Sequence, residues 1–237
     1  MVINLKGRVI HMEIRDLSSV IREGMVVFPG DPGVSLEIRC TYEKNGCQVT
    51  GLNFGSHTGT HIDAPRHFLE NGTALPEVPL DSVVGEAICL EAVLRKEDFT
   101  DHPVISLSEN DLNRINPGDR VILSTGWEGK AGTAAYFIQY PIFDRELVLA
   151  LMGLHVRMIG IDLPTVEWTG NPLDPFEMHK AILSCGMIPV EGLVNLKDLK
   201  GKRFFFSAAP MPLENGDGSP VRAYAIVDAD GEDSVDD

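Results

Sequence analysis

The sequence contains no apolar run near the roughly 20 residues that a membrane-spanning helix needs. Its opening stretch, MVINLKGRVIHMEIRD, also lacks the unbroken apolar core of a signal peptide, so a cytoplasmic protein is expected. Positive charge is in short supply. Against 20 Lys and Arg stand 35 Asp and Glu, and a net charge of −15 repels nucleic-acid phosphates and anionic lipid alike. Neither nucleic acid nor membrane is expected as a partner. Cysteine is scarce too: the four (Cys40, Cys47, Cys89, Cys185) form no CxxC pair. Neither a disulfide framework nor a zinc ribbon fits, and four free thiols are expected, with Cys89 buried in the run AICLEAV. No repeat, low-complexity block or Pro/Gly/Ser-rich linker divides the chain. One domain over residues 1–227 is therefore expected. Six of the last ten residues are acidic, which marks 228–237 as a solubilising, disordered tail.

What is present is an ordinary globular composition, 43% hydrophobic and 23% charged, over 237 residues. MEIRDLS and EIRCTY read as short strands on either side of the turn-rich FPGDPG. GEAICLEAVL (85–94), DRVILSTGW (119–127), VRMIGID around Ile159 and MIPVEGLVNL (187–196) read as buried strands, and RFFFSAAPMP and SPVRAYAIVDA as two more. SLSENDLNRI has the polar start of a helix, and FDRELVLALMGL a helix closed by Gly153. A third helix is expected over 175–185, with Asp174 as cap, Pro175 in the first helical position, Glu177 as the acid of a capping box and Gly186 as the stop. Strands alternating with helices predict an α/β fold, the sense of each strand pair being open.

The chemistry concentrates in SHTGTHIDAPRHF, residues 56–68, where His57, His61, Asp63 and His67 fall within eleven positions. Even scattering of the chain's seven histidines would put about 0.3 there. Imidazole and carboxylate donors without thiolate suit Zn²⁺, and also Mn²⁺ or Fe²⁺, in a catalytic rather than a purely structural site. All four positions are odd-numbered, so an extended chain would turn them to one face. Gly59 and Pro65 argue against a continuous helix. Gly59 and Ala64 would leave room for an ion and its water, and Ser56, Thr58 and Thr60 are candidate donors to the ligands. A cluster that spends all its members on metal leaves no base. His179 and Glu191, twelve residues apart on a helix and the strand after it, can reach the same sheet edge, though an exposed helical histidine and a strand-end carboxylate explain them equally well. Asp162 and Arg222 read as a loop-capping carboxylate and a surface arginine.

HTGTHIDAPRH resembles the HxGTHxDxPxH signature of the metal-dependent cyclase family, whose members include bacterial kynurenine formamidases and isatin hydrolases. DLSSVIREGMVVFPGDP, DRVILSTGW, IGIDLPTVE, HKAILSCGMIPVEGLVNL and AAPMPLENGDGSPVRAYAI resemble successive segments of that family, so the likeness spans about residues 12–227. It implies the family's swivelling β/β/α fold, a mixed sheet with flanking helices, assembled as a homodimer or homotetramer. It also implies that His57, His61 and Asp63 bind one divalent ion, that Asp63, His179 and Glu191 bind a second, with Glu191 reaching both, and that His67 is the general acid/base. Two Zn²⁺ per chain, or Mn²⁺, are the cofactors so implied. Phe28 stands where kynurenine formamidases carry the Trp of their aryl pocket, and EGKAGTAAYFIQYP from Glu128 could edge that pocket. Hydrolysis of a small aryl amide such as N-formylkynurenine is the function implied. An isatin-type cyclic amide or lactone hydrolase and, from another class, a non-catalytic metal-binding domain are the alternatives.

Overall fold

The computed structural model describes residues 2–5, 8–97, 100–168 and 176–228. From the N-terminus, β1 (Val2–Leu5) and β2 (Arg8–Asp16) form a hairpin. A second hairpin joins β3 (Ser35–Cys40) and β4 (Val49–Asn53) through the one-turn helix α1 (Tyr42–Asn45), and β5 (His61–Asp63) follows. The short α2 (Leu80–Val83) leads into β6 (Val84–Glu91), β7 (Val93–Glu97) and β8 (Thr100–Ser106). Then come α3 (Glu109–Leu112), β9 (Arg120–Ser124), β10 (Ile142–Phe143), α4 (Arg145–Gly153) and β11 (Met158–Ile161). The chain continues through α5 (Glu177–Ser184), β12 (Ile188–Glu191), β13 (Arg203–Ser207), β14 (Gly218–Pro220) and β15 (Tyr224–Asp228).

Ten strands make one mixed sheet in the order β1-β2-β15-β13-β6-β9-β11-β12-β5-β14. The four central strands, β6, β9, β11 and β12, run parallel, and antiparallel strands extend the sheet on both sides. These four are the apolar runs of the sequence. Alternation sends their side chains to two faces, and both faces are buried. Ala87, Cys89, Ile122 and Met158 join a core with Leu17, Ile62 and Phe206. Ile88, Leu90, Val121, Leu123 and Ile159 face the other way, under Leu147, Leu151 and Ile182 of α4 and α5. The α/β expectation holds.

Local departures from the sequence reading have physical causes. β12 stops at Glu191 because Gly192 turns the chain at φ +68°. Tyr42 leaves the strand expected through it to open α1. Ser108 and Asp144 cap α3 and α4 by accepting from Asp111 N (3.1 Å) and Leu147 N (2.8 Å). Helix α5 begins at Glu177, after Phe176, which provides no side-chain cap. Asp174 and Pro175, expected to start it, lie outside the described residues, as do 229–237 of the tail. All four cysteines are free thiols, with Cys89 buried. No helix among the described residues is long and apolar enough to cross a membrane.

Candidate metal centre

Sheet register builds the floor of the site. In the antiparallel pairing of β12 with β5, Glu191 lies across from His61. Residues directly opposite share a face, and so do residues two apart on one strand, so Glu191, His61 and Asp63 project together. Ile62 turns the other way into the core. On the far side of β5, Gly218 pairs with Asp63, and a Cβ at Gly218 would stand 2.5 Å from His57 Cε1, so the missing side chain is what admits the imidazole. Helix α5 brings His179 down onto the same floor, on the buried stripe it shares with Ile182.

The extended reading of residues 57–67 is corrected here. Only His61–Asp63 is strand; His57 precedes a turn at Gly59 (φ +68°), and His67 ends a 3₁₀ turn, Pro65–His67. Gly59 and Ala64 do not make room for an ion. Ala64 belongs to the core, and a Cβ on Gly59 would meet Ser19 Oγ at 2.9 Å. The exposed-helix reading of His179 also fails, because both it and Glu191 are only 3% exposed.

Two carboxylates face two imidazoles, one oxygen to each. Asp63 Oδ1 lies 3.4 Å from His61 Nε2, and Asp63 Oδ2 lies 3.6 Å from His179 Nε2. Glu191 Oε2 lies 3.5 Å from His61 Nε2, and Glu191 Oε1 lies 3.3 Å from His179 Nε2. His57 Nδ1 hydrogen-bonds Asp63 Oδ1 at 2.7 Å. The remaining ring nitrogens are held from behind. His61 Nδ1 donates to the Gly59 carbonyl (3.0 Å), His179 Nδ1 to Glu167 Oε1 (2.5 Å) and His57 Nε2 to Asp217 Oδ2 (3.1 Å). Such partners fix which nitrogen is free to ligate and raise its basicity. His67 stacks on His57 at 3.8 Å, with its Nδ1 3.5 Å from Asp217 Oδ2. Together with His57 and Asp63 it forms a second group of potential ligand atoms lying within 4.8 Å of one another, beside His61, Asp63 and Glu191.

The electrostatics follow from this packing. Burial opposes the charged imidazole of His179, but its bonds to Glu167 and Glu191 outweigh that and raise it to about 10. His57, likewise opposed by burial, is raised to about 9 by Asp63 and Asp217. Burial also works against charge on Asp63, yet the bonds to His57 and His61 hold its carboxyl well below the usual range. Glu191 is pushed up by burial and by Asp63 beside it. Burial and the neighbouring His57 and His179 lower His67 to about 4, so it is a neutral base at neutral pH. A divalent ion held on this floor would have to displace protons from His57 and His179, so its affinity would rise with pH.

Glu167 and Asp217 hold two of the histidines and were not among the residues singled out from the sequence. Besides holding His179, Glu167 accepts from Met178 N (2.9 Å) and His179 N (3.2 Å), so its side chain binds the first-turn N–H groups of α5. Asp217 holds His57 and faces His67, and Ser56 Oγ donates to it at 3.0 Å. Thr60 Oγ1 donates to the Gly192 carbonyl at 2.6 Å, tying β5 to β12, and Thr58 is buried. Asp162 caps a loop, accepting from Thr125 and Gly126, and exposed Arg222 pairs with Asp16. Above the floor lies a cavity of about 380 Å³, with Phe28, Phe68 and Phe176 on its walls.

A family comparison decides the relationship: the Cyclase family profile matches residues 15–168. The chain belongs to that family. Among its relatives is a kynurenine formamidase of Geobacillus thermodenitrificans (strain NG80-2), 33% identical over 212 residues, which are 88% of this chain and 94% of that protein. A kynurenine formamidase of Salinibacter ruber (strain DSM 13855 / M31) is 28% identical over 90% of this cyclase-family chain and 96% of its own. The structure of a potential metal-dependent hydrolase with cyclase activity superposes with a TM-score of 0.71 at 26% identity, covering 91% of this chain and 98% of the other. An isatin hydrolase bound to the product analogue thioisatinate shares the fold, with a TM-score of 0.79 at 21% identity over 92% and 93% of the two chains.

Proposed function

We propose that this cyclase-family enzyme hydrolyses a small aryl amide, with N-formylkynurenine as the first candidate substrate, and that it holds two divalent ions, Zn²⁺ before Mn²⁺. The observation that carries this reading is the paired arrangement of Asp63 and Glu191, each offering one oxygen to His61 and the other to His179. Donors about 2.0–2.2 Å from a tetrahedral ion stand about 3.3–3.6 Å from one another, which is the spacing of these four contacts. One ion would be held by His61, Asp63, Glu191 and His57, whose present hydrogen bond to Asp63 that ion would replace. The other would be held by His179, Asp63 and Glu191. Divalent ions so placed supply Lewis acidity, acidifying a water and polarising a carbonyl.

The chain's own groups supply the rest. Asp217 faces Nδ1 of His67, which leaves Nε2 to take a proton from the attacking water and return it to the leaving nitrogen. Phe28, Phe68 and Phe176 offer faces for an aryl ring, with Phe68 itself packed on His179 at 4.3 Å. Metal analysis of protein purified without added metal, then assays with formanilides, isatin and lactones, test the reading. Close to two ions per chain and turnover of a formanilide are expected. Turnover of isatin or lactones alone would move the assignment to the cyclic-substrate branch, and no turnover of any would defeat it.

The reading extends to assembly as a homodimer or homotetramer. The β3–β4 hairpin stands as a separate two-stranded sheet whose one face carries Leu36, Ile38 and Leu52, the last two 61% and 65% exposed. Isolated two-stranded ribbons are marginal in water, and a second copy would cover this one. Sedimentation velocity on the metal-loaded protein should give two or four chains; a monomer at micromolar concentration would contradict it.

A further inference from the structure

Phe28 stands between two cavities. Beyond the one over the ligand floor lies a second, of about 240 Å³, that shares the His57 and His61 imidazoles as part of its wall. Its other walls are mostly apolar, with Val20, Met25, Val26, Tyr136 and Phe137. No carboxylate among the described residues lines it. One permanent charge does, the guanidinium of Arg22.

That guanidinium has no ion-pair or hydrogen-bond partner among the described residues. The acid next to it in sequence is engaged elsewhere, and the cation across from it does not crowd the cavity. The carboxylate of the adjacent Glu23 accepts from Leu36 N. The cation of the facing loop, Lys130, sits 3.2 Å from the centre of the Trp127 ring and borders a different cavity. The guanidinium reaches across to Gly132 of that facing loop. A Cβ there would stand 2.7 Å from a guanidinium nitrogen, and its φ of +78° disfavours any residue that has one. An unpaired planar cation at the mouth of an apolar cavity, in a chain with fifteen excess negative charges, has its donors open to a ligand. Arg22 is exposed at this mouth, and its guanidinium presents paired N–H donors that match a carboxylate bidentately.

We infer that Arg22 is a specificity residue that receives the carboxylate of the substrate, so that the enzyme prefers aryl amides carrying an acidic group over neutral ones. The inference rests on the hydrolase reading above. The preferred substrate then has its amide over His57 and His61 and its ring against Phe28, which the two cavities share, with its acid held at the Arg22 mouth.

The test compares formanilide with its ortho-, meta- and para-carboxylated forms, using metal-loaded parent, Arg22→Met and Arg22→Lys. Calorimetric titration with benzoate and benzamide provides a readout that needs no turnover. In the parent, at least one carboxylated anilide should exceed formanilide by about 10- to 100-fold in kcat/KM, the worth of a charge-assisted contact. Arg22→Met should bring that ratio close to one through KM of the acid, and weaken benzoate by a similar factor without a matching change for benzamide. Arg22→Lys, which keeps the charge without the fork, should retain part of the ratio. An unchanged ratio in Arg22→Met overturns the inference. So does benzoate binding that Arg22→Met leaves intact, because the carboxylate would then sit on the metal centre. If the parent cleaves none of the anilides, the hydrolase reading fails separately, and the benzoate titration alone decides Arg22.

Discussion

His67→Ala should keep the parent's metal content while kcat falls by about 10²- to 10⁴-fold, the usual worth of a positioned acid/base. The expectation comes from how differently two histidines of one segment are set. The His61 side chain is 6% exposed, one nitrogen is committed to the Gly59 carbonyl, and the other faces both Asp63 and Glu191. His67 is 28% exposed at the rim, has its Nδ1 toward Asp217, and lies flat on His57. Losing it removes a proton carrier and leaves the two-carboxylate floor untouched. His61→Ala should instead lose metal and activity together, with partial return of both at excess metal. Metal analysis after dialysis separates the cases, since both variants are slow. His67 does lie within ligating reach of His57 and Asp63. A metal-free His67→Ala beside a loaded His61→Ala would therefore make His67 the ligand and send the search for a base elsewhere.

What the sequence could and could not reveal follows from the range over which each signal acts. Four apolar runs became the parallel strands β6, β9, β11 and β12, because a strand buried on both faces needs apolar residues at nearly every position. Their neighbours in the sheet were not legible, since strand pairing depends on contacts far apart in the chain. The eleven-residue histidine segment was legible as metal-binding because its donors are local. The geometry behind it was read wrongly: odd spacing suggested a single strand, whereas a left-handed glycine and a 3₁₀ turn bend the segment around a three-residue strand. Glu167 and Asp217 were invisible for a different reason. Each is a carboxylate on a loop, 12 residues from its histidine partner in the case of Glu167 and 150 and 160 from its two in the case of Asp217. A weak cue was available in NGDGSP, where a tight turn flanked by glycines places an acid beside β14, and in Glu167, which closes IDLPTVE ten residues before α5 begins.

Asp63→Asn should lose both ions, whereas Glu191→Gln should retain one, and the difference lies in the number of imidazoles each carboxylate serves. Asp63 is within 3.6 Å of ring nitrogens of His57, His61 and His179. Glu191 approaches only His61 and His179, at 3.5 and 3.3 Å. An amide in place of Asp63 offers one weak donor oxygen and a nitrogen that cannot ligate, so Glu191 is left as the one anion for both halves, and His57 loses the carboxylate that holds its Nδ1 over the floor. With Glu191→Gln the half containing His57, His61 and Asp63 still has three donors, enough for the open site of a catalytic ion. Activity in Asp63→Asn should fall by on the order of 10⁴ or more, because metal polarisation is worth several kcal/mol and both sources of it are gone. Glu191→Gln should be slowed less and respond to added metal. Equilibrium dialysis with Zn²⁺ and with Mn²⁺, read as ions per chain, gives the stoichiometry directly. If the parent never exceeds one ion, or if Glu191→Gln binds as many as the parent, the paired contacts of Asp63 and Glu191 serve a single metal and the two-ion assignment is wrong.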